Sequence, residues 1–398
     1  MKRLLQAIAQ DMNQALAGEL RGLYLYGSLT TSYFQAGESD INLLAVVQDS
    51  SDPHTIRQAA RPVWEAYREQ IKQPPLLVKL TALRRHVNLF PNFGYHLAQN
   101  GRVLHGEANL LGNLPGRSTV EFLSHLASDA LAASTALTPH LLTPEAASLA
   151  EKKLRGLARR LLQRPLKPDE TAVDLFATIL DFLSRKITAL GTTQFPSPTT
   201  PDDSPLPGLY AIYKRDIGCT VLVFDQLTAA RIKSTDWHHV ARQVDDHCTC
   251  LHVTTVSQLL LLTSLETPLD MVFRRYTLKW GEDPLANLNL SRDYSLRHAA
   301  RLPSNIAITE LPAAYLSAPD DKANTIVHDF QNKLLNIQLE NEILYRMGYL
   351  ERFIPAIPLP GREAPTPERI RAIFDHLDQW SEFYYNKMKQ AADQKGNN

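Results

Sequence analysis

Cysteine is almost missing from this chain. Three residues, Cys219, Cys248 and Cys250, among 398 cannot build a disulfide framework, and so sparse a set fits a reducing compartment. An excess of either charge is missing too. Lys plus Arg and Asp plus Glu both number 42, which leaves no global field to recruit nucleic acid or an anionic membrane. Apolar runs such as Leu43–Val47 and Leu259–Leu262 fall far short of a membrane span. The opening Met1-Lys2-Arg3-Leu4-Leu5 starts like a leader, but Gln6, Gln10, Asp11 and Asn13 break its apolar core. These absences together predict a soluble, cytoplasmic protein with no membrane partner, and they argue against a nucleic-acid partner. A local gap matters more for chemistry: between Glu69 and Glu107 there is not one Asp or Glu.

What is present is ordinary globular material, 44% apolar and 21% charged, in a chain long enough for two to three domains. Its most informative stretch is Leu23–Val47. Two apolar runs, Leu23–Tyr26 and Ile41–Val47, flank a polar loop that opens with Gly27-Ser28 and closes with Ser39-Asp40-Ile41-Asn42. On a strand, successive side chains alternate, so Asp40 and Asn42 share one face while Ile41 and Leu43 share the other. Gly27 lets backbone approach a ligand closely, and the Ser28 hydroxyl with neighbouring N–H groups suits phosphate oxygens.

A strand, Gly-Ser, and about a dozen residues later Asp-x-Asp on a second strand form the signature of the polymerase-β-like nucleotidyltransferases. Leu25-Tyr26-Gly27-Ser28 with Gly37-Glu38-Ser39-Asp40 resembles the small-molecule, aminoglycoside adenylyltransferase-like branch of that superfamily. The resemblance implies a site in which Gly27, Ser28 and Ser39 hold an NTP, with Asp40 as catalytic carboxylate. Asp40 and the residue two further on would ligate Mg²⁺, which neutralises the triphosphate and activates the attacking hydroxyl. The second carboxylate position, however, holds Asn42, whose carbonyl can ligate Mg²⁺ but adds no charge. The apolar run Leu76–Leu80 should be the neighbouring strand, and there Lys79 stands where a third acid is expected. The expected function is therefore a degenerate nucleotidyltransferase-like protein that binds nucleotide or phosphate, or serves as a scaffold for a protein partner. The alternative is an active Mg²⁺-dependent enzyme moving NMP from NTP to a small hydroxyl compound, with Glu107 and Glu121 the first acids after the strand.

The expected fold is α/β plus α, with two tandem nucleotidyltransferase-like small mixed-sheet domains, each followed by a helical bundle. Residues 1–117 form the first α/β domain, 118–190 its bundle, and 191–207, with five prolines, the linker. Residues 208–292 form a second, more degenerate α/β copy and 293–398 the C-terminal bundle. The copy is suggested by two short apolar runs, Leu209–Tyr213 and Cys219–Phe224, and by His105-Gly106-Glu107 recurring as Trp280-Gly281-Glu282.

Three other features compete for function. Lys152, Arg155 and Arg159 share a helical face that could meet phosphates, although such a face is more often simply solvated. His238, His239, His247, Cys248, Cys250 and His252 have metal-type chemistry but no second Cys pair. Trp380, Phe383, Tyr384 and Tyr385 predict a last helix docked by its aromatic face.

Overall fold

The computed structural model describes the chain except residues 33, 35–38, 109, 111, 113–146, 163, 190–205, 216–218, 245–249, 260–275, 285–291 and 397–398. In chain order its main elements are α1 (Lys2–Ala15), β1 (Leu20–Tyr26), β2 (Asn42–Val47), α2 (Pro53–Ile71), β3 (Leu76–Lys79), α3 (Leu80–Leu89), α4 (Pro91–Asn100) and β4 (Arg102–Gly106). There follow α5 (Ala147–Leu162), α6 (Ala172–Ala189), β5 (Leu209–Arg215), β6 (Cys219–Phe224), α7 (Ala229–Ser234), α8 (Trp237–Val244), β7 (Cys250–Thr255) and β8 (Thr277–Gly281). Last come α9 (Arg292–Asn305), a π-helical turn (Ile306–Glu310), α10 (Leu311–Ser317), α11 (Ala323–Arg346) and α12 (Thr366–Gly396). The architecture is mixed α/β with two four-stranded sheets and a helical C-terminal region. No described helix is long and apolar enough to cross a membrane.

The chain divides into two compact units, Met1–Arg117 with Leu290–Asn398, and Ser118–Asn289. Sequence order suggests that each sheet packs with the helices that follow it; the structure pairs them differently. In the first unit, one face of the sheet buries Leu23, Leu25, Leu43 and Ala45 against Ile8 and Met12 of α1, Ile56 and Trp64 of α2, and Leu316 of α10. The other face buries Tyr24, Leu44, Val46 and Val78 against Leu83 and Val87 of α3, Leu97 of α4, and Ile308 of the π turn. Both faces are thus completed by residues from beyond position 290. In the second unit, α5 and α6 bury Leu154, Leu157, Phe176 and Ile179 in one core with Leu222 and Leu251 of the second sheet. The first part of the expected bundle, residues 118–146, and nearly all of the linker 191–207 lie outside the described residues.

The two sheets share one plan. Strand order is β3-β2-β1-β4 in the first and β7-β6-β5-β8 in the second, with the same pattern of antiparallel and parallel neighbours. Irregularities recur at matching points, Leu20/Gly22 and Leu209/Ala211, then Leu23/Tyr24 and Ile212/Tyr213. The last strand of each ends in a left-handed glycine, Gly106 at φ 85° and Gly281 at φ 83°. A side chain on Gly106 would strike the Arg21 carbonyl, and one on Gly281 the Tyr210 carbonyl, so only glycine lets the strands close there. The following acid is tied back in both, Glu107 by Arg21 and Glu282 by the Tyr210 hydroxyl.

Buried arginines fasten the first unit. Arg57 on α2 donates through Nε to the Tyr315 carbonyl at 2.7 Å and through Nη2 to the Ala318 carbonyl at 2.6 Å, at the C-terminal end of α10. Arg301 on α9 donates to the Leu89 carbonyl at 2.7 Å, at the end of α3. Arg85 on α3 holds Asp378 of α12 at 2.9 Å. Placing cations at helix C-termini satisfies orphan carbonyls and suits the helix dipole. Pro62 lies inside α2, which runs without a break from Pro53 to Ile71. The predicted aromatic face of the last helix is in the core, with Trp380, Tyr384 and Tyr385 all buried.

His86, fully buried on α3, shares a contact with Ser304 Oγ at 3.0 Å and stacks on Phe90. Burial first, and the Arg301 charge second, hold its pKa down at about 3. The unfolded chain takes up this proton near 6.5, whereas the folded chain refuses it until about 3. Stability therefore falls as pH drops through that window, by about 1.4 kcal/mol per pH unit. Urea unfolding between pH 6 and 4 is expected to show a slope steeper in the wild type than in His86→Gln by about that amount; equal slopes would refute the assignment.

Candidate functional site

The described residues that the sequence singles out lie at one end of the first sheet. β1 ends at Tyr26, and Gly27 turns the chain with φ 81° and ψ −156°, a conformation reserved for glycine. A short 3-10 turn over Ser28–Thr30 follows. Thr30 Oγ1 donates to the Gly27 carbonyl and Thr31 Oγ1 to the Ser28 carbonyl, each at 2.7 Å. These two hydroxyls are therefore spent on the turn itself. Ser28 is half-buried, and among the described residues its hydroxyl has no such commitment.

Antiparallel pairing sets Tyr26 opposite Asn42, so the turn and the start of β2 meet. The Asn42 amide packs directly against the Gly27 α-carbon, where a Cβ would collide with it. Asn42 therefore shapes the turn as well as standing at the expected metal position. Asp40 and Ser39, both half-buried, lie just ahead of β2, and Ile41 and Leu43 point into the core as the alternation predicted. Tyr26 meets Phe93 edge-on at 5.9 Å, and desolvation pushes its phenol up to about 12.

The parallel register of β2 with β3 corrects the expected position of the third acid. Leu44 pairs with Leu76 and Val47 with Lys79. Five residues of strand separate Asn42 from Val47, roughly 17 Å at the usual rise. Lys79 therefore lies at the opposite end of the sheet from Asp40 and Asn42, and it neither replaces an acid there nor mimics a metal. The neighbouring position near the site is Leu76, which is buried. None of β1 to β4 carries an Asp or Glu. Among the described residues, no three His, Cys, Asp or Glu side chains converge as a metal site. Glu107 follows β4, near Gly22 rather than near Gly27, and is engaged by Arg21. Glu121 lies outside the described residues.

The second sheet has no connection of equivalent length between its first two strands. β5 and β6 are joined by residues 216–218 alone, with Arg215 opposite Cys219, where the first unit has fifteen residues between its strands. The basic helix face is also reassigned. Arg155 and Arg159 are buried, and Arg155 donates to the Lys167 and Glu170 carbonyls at 3.1 and 3.3 Å. Arg155 thus closes a loop inside its own unit, and Arg159 is buried beside the same helix's core residues rather than on a solvated face. Of the Cys and His group, Cys250 and His252 lie on β7, with Cys250 in register with Cys219 of β6, while His247 and Cys248 lie outside the described residues.

Sequence reasoning gave no role to Arg57, Arg85 or Arg301; their helices carry no local sign of which carbonyls end beside them. Compared with known proteins, the chain matches no family model and no curated sequence.

Proposed function

We propose that the first unit is a degenerate nucleotidyltransferase-like domain that recognises a nucleotide or phosphate through the Gly27-Ser28 turn, with metal-assisted transfer weak or lost. The observation that carries this reading is the contact of Asn42 with the Gly27 turn, Asp40 standing two residues ahead, on a sheet whose strands hold no carboxylate. The turn keeps an uncommitted hydroxyl at Ser28, which suits an acceptor-rich ligand. A triphosphate with a developing alkoxide calls for two divalent ions, and one Asp with one Asn is a poor ligand set for both. On this reading Asp40 and Asn42 would hold at most one Mg²⁺, and Ser39 would support the loop. The second sheet, with its matched order and closing glycine, fits a duplicate of the same domain that has lost the loop and serves packing or a protein partner.

Titration calorimetry of ATP and GTP, with and without Mg²⁺, separates the possibilities. Binding that persists without metal, and that Asp40→Ala leaves within about threefold, is the expected result, because a half-buried carboxylate without a metal offers an anionic phosphate no attraction. Binding that requires Mg²⁺ and vanishes in Asp40→Ala would instead favour the active enzyme. No binding under any condition would refute nucleotide recognition.

A further inference from the structure

The other end of the first sheet carries a site of a different kind. The carboxyl ends of the parallel pair β2 and β3 open into a small, half-enclosed pocket within the first unit. Ligands of open α/β sheets gather in such crevices. Its walls are apolar, with Val47, Ile56, Leu77, Ile308, Leu316 and Phe374 contributing. The helical rod from α9 to α10 leaves α geometry here, and the π turn supplies Ala307 and Ile308 to the lining. Such turns are rare and concentrate at functional sites. Pro312, also in the lining, has no N–H to give the Ile308 carbonyl four residues back.

The charges at the pocket are unequal in what they have left to offer. Arg57 is committed to α10 and Asp320, and Asp378 is held by Arg85. Lys79 is half-buried, and among the described residues it makes no salt bridge within 4 Å. Asp375 on α12 acts on it electrostatically, its own carboxyl raised above the ordinary range by burial.

We propose that this pocket binds a small apolar monocarboxylic acid, its carboxylate on the Lys79 ammonium and its hydrocarbon body against Ile56, Ile308 and Phe374. With Arg57 already engaged, Lys79 is left with Asp375 and Asp378 close by, which favours one negative charge over the two of a phosphate. The bound acid would join β3 to the π turn and α12, and so stabilise the unit by mass action.

The test is a thermal shift and calorimetric titration of the full chain with benzoate and 3-methylbutanoate, against benzamide, 3-methylbutanamide and inorganic phosphate. The acids are expected to bind saturably and raise Tm, and the amides and phosphate to do neither. Lys79→Met is expected to weaken acid binding roughly tenfold or more, as loss of a charge-assisted hydrogen bond does. Failure of the acids to bind the wild type, equal binding of the amides, tighter binding of phosphate, or unchanged binding by a folded Lys79→Met would each overturn the proposal. If Lys79→Met fails to fold, the acid-against-amide contrast in the wild type decides.

Discussion

Replacing Arg57 with methionine is expected to destabilise the first unit by about 3 kcal/mol, measured by denaturant unfolding. Methionine keeps most of the volume but leaves the Tyr315 and Ala318 carbonyls without their donor in a buried setting, at about 1–3 kcal/mol for each unsatisfied group. The loss should come from those carbonyls rather than from the ion pair, because Asp320 is exposed and its charge is screened. Asp320→Asn is therefore expected to cost far less. Equal losses in the two variants would mean that the pairing of charges, not the capping of α10, holds α2 to the C-terminal helices. Hydrogen exchange should localise the Arg57→Met effect to α2, α10 and the sheet faces they cover.

The second large effect is expected at the glycines that end β4 and β8. Gly106→Ala and Gly281→Ala each place a Cβ against the carbonyl of a neighbouring strand, at a φ that alanine rarely adopts. Backbone cannot move aside as a flexible side chain would, so each substitution should cost about 3 kcal/mol. Gly112 provides the control, with φ 66° and nothing within 4 Å of an added Cβ. Gly112→Ala carries only the strain of the left-handed conformation, roughly 1–2 kcal/mol. Matching losses at Gly106 and Gly281, each confined by hydrogen exchange to its own unit, would show that the two sheets depend on the same closure. A loss at one glycine alone would break the parallel between them.

Much of the first sheet could be read from the sequence because its signals are local. Alternation around Ile41 and Leu43, the Gly27-Ser28 turn and the Gly106-Glu107 ending each occupy a few consecutive residues. The same holds for the repeated ending at Gly281-Glu282, which pointed to a second sheet of the same order. What failed was non-local. Lys79 reads as a site residue from sequence because an apolar run reveals that a strand exists but not its register, and a shift of three residues along β3 moves a side chain about 10 Å. The helices were assigned to the sheets they follow because adjacency in sequence usually means adjacency in space. Here Ile308 and Leu316 finish a core begun almost 300 residues earlier. Arg57 and Arg155 look like any basic residue on a helix; only the folded chain shows the helix ends and loop that receive them.

The division of the first unit between the two ends of the chain bears on how the protein is made. As synthesis proceeds, the first four strands emerge long before α9, the π turn and α10 exist to cover them. The intervening segment holds a complete sheet and its own helices, so it can finish folding while the first sheet waits. At common elongation rates that wait is on the order of tens of seconds. During it, the face bearing Leu44, Val46 and Val78 lacks Ile308, and α2 lacks the partner that Arg57 will cap. Closing so long a loop adds only slowly growing entropy, so the finished unit loses little by the arrangement. The cost is kinetic: an apolar sheet face stays unfinished until the last helices arrive.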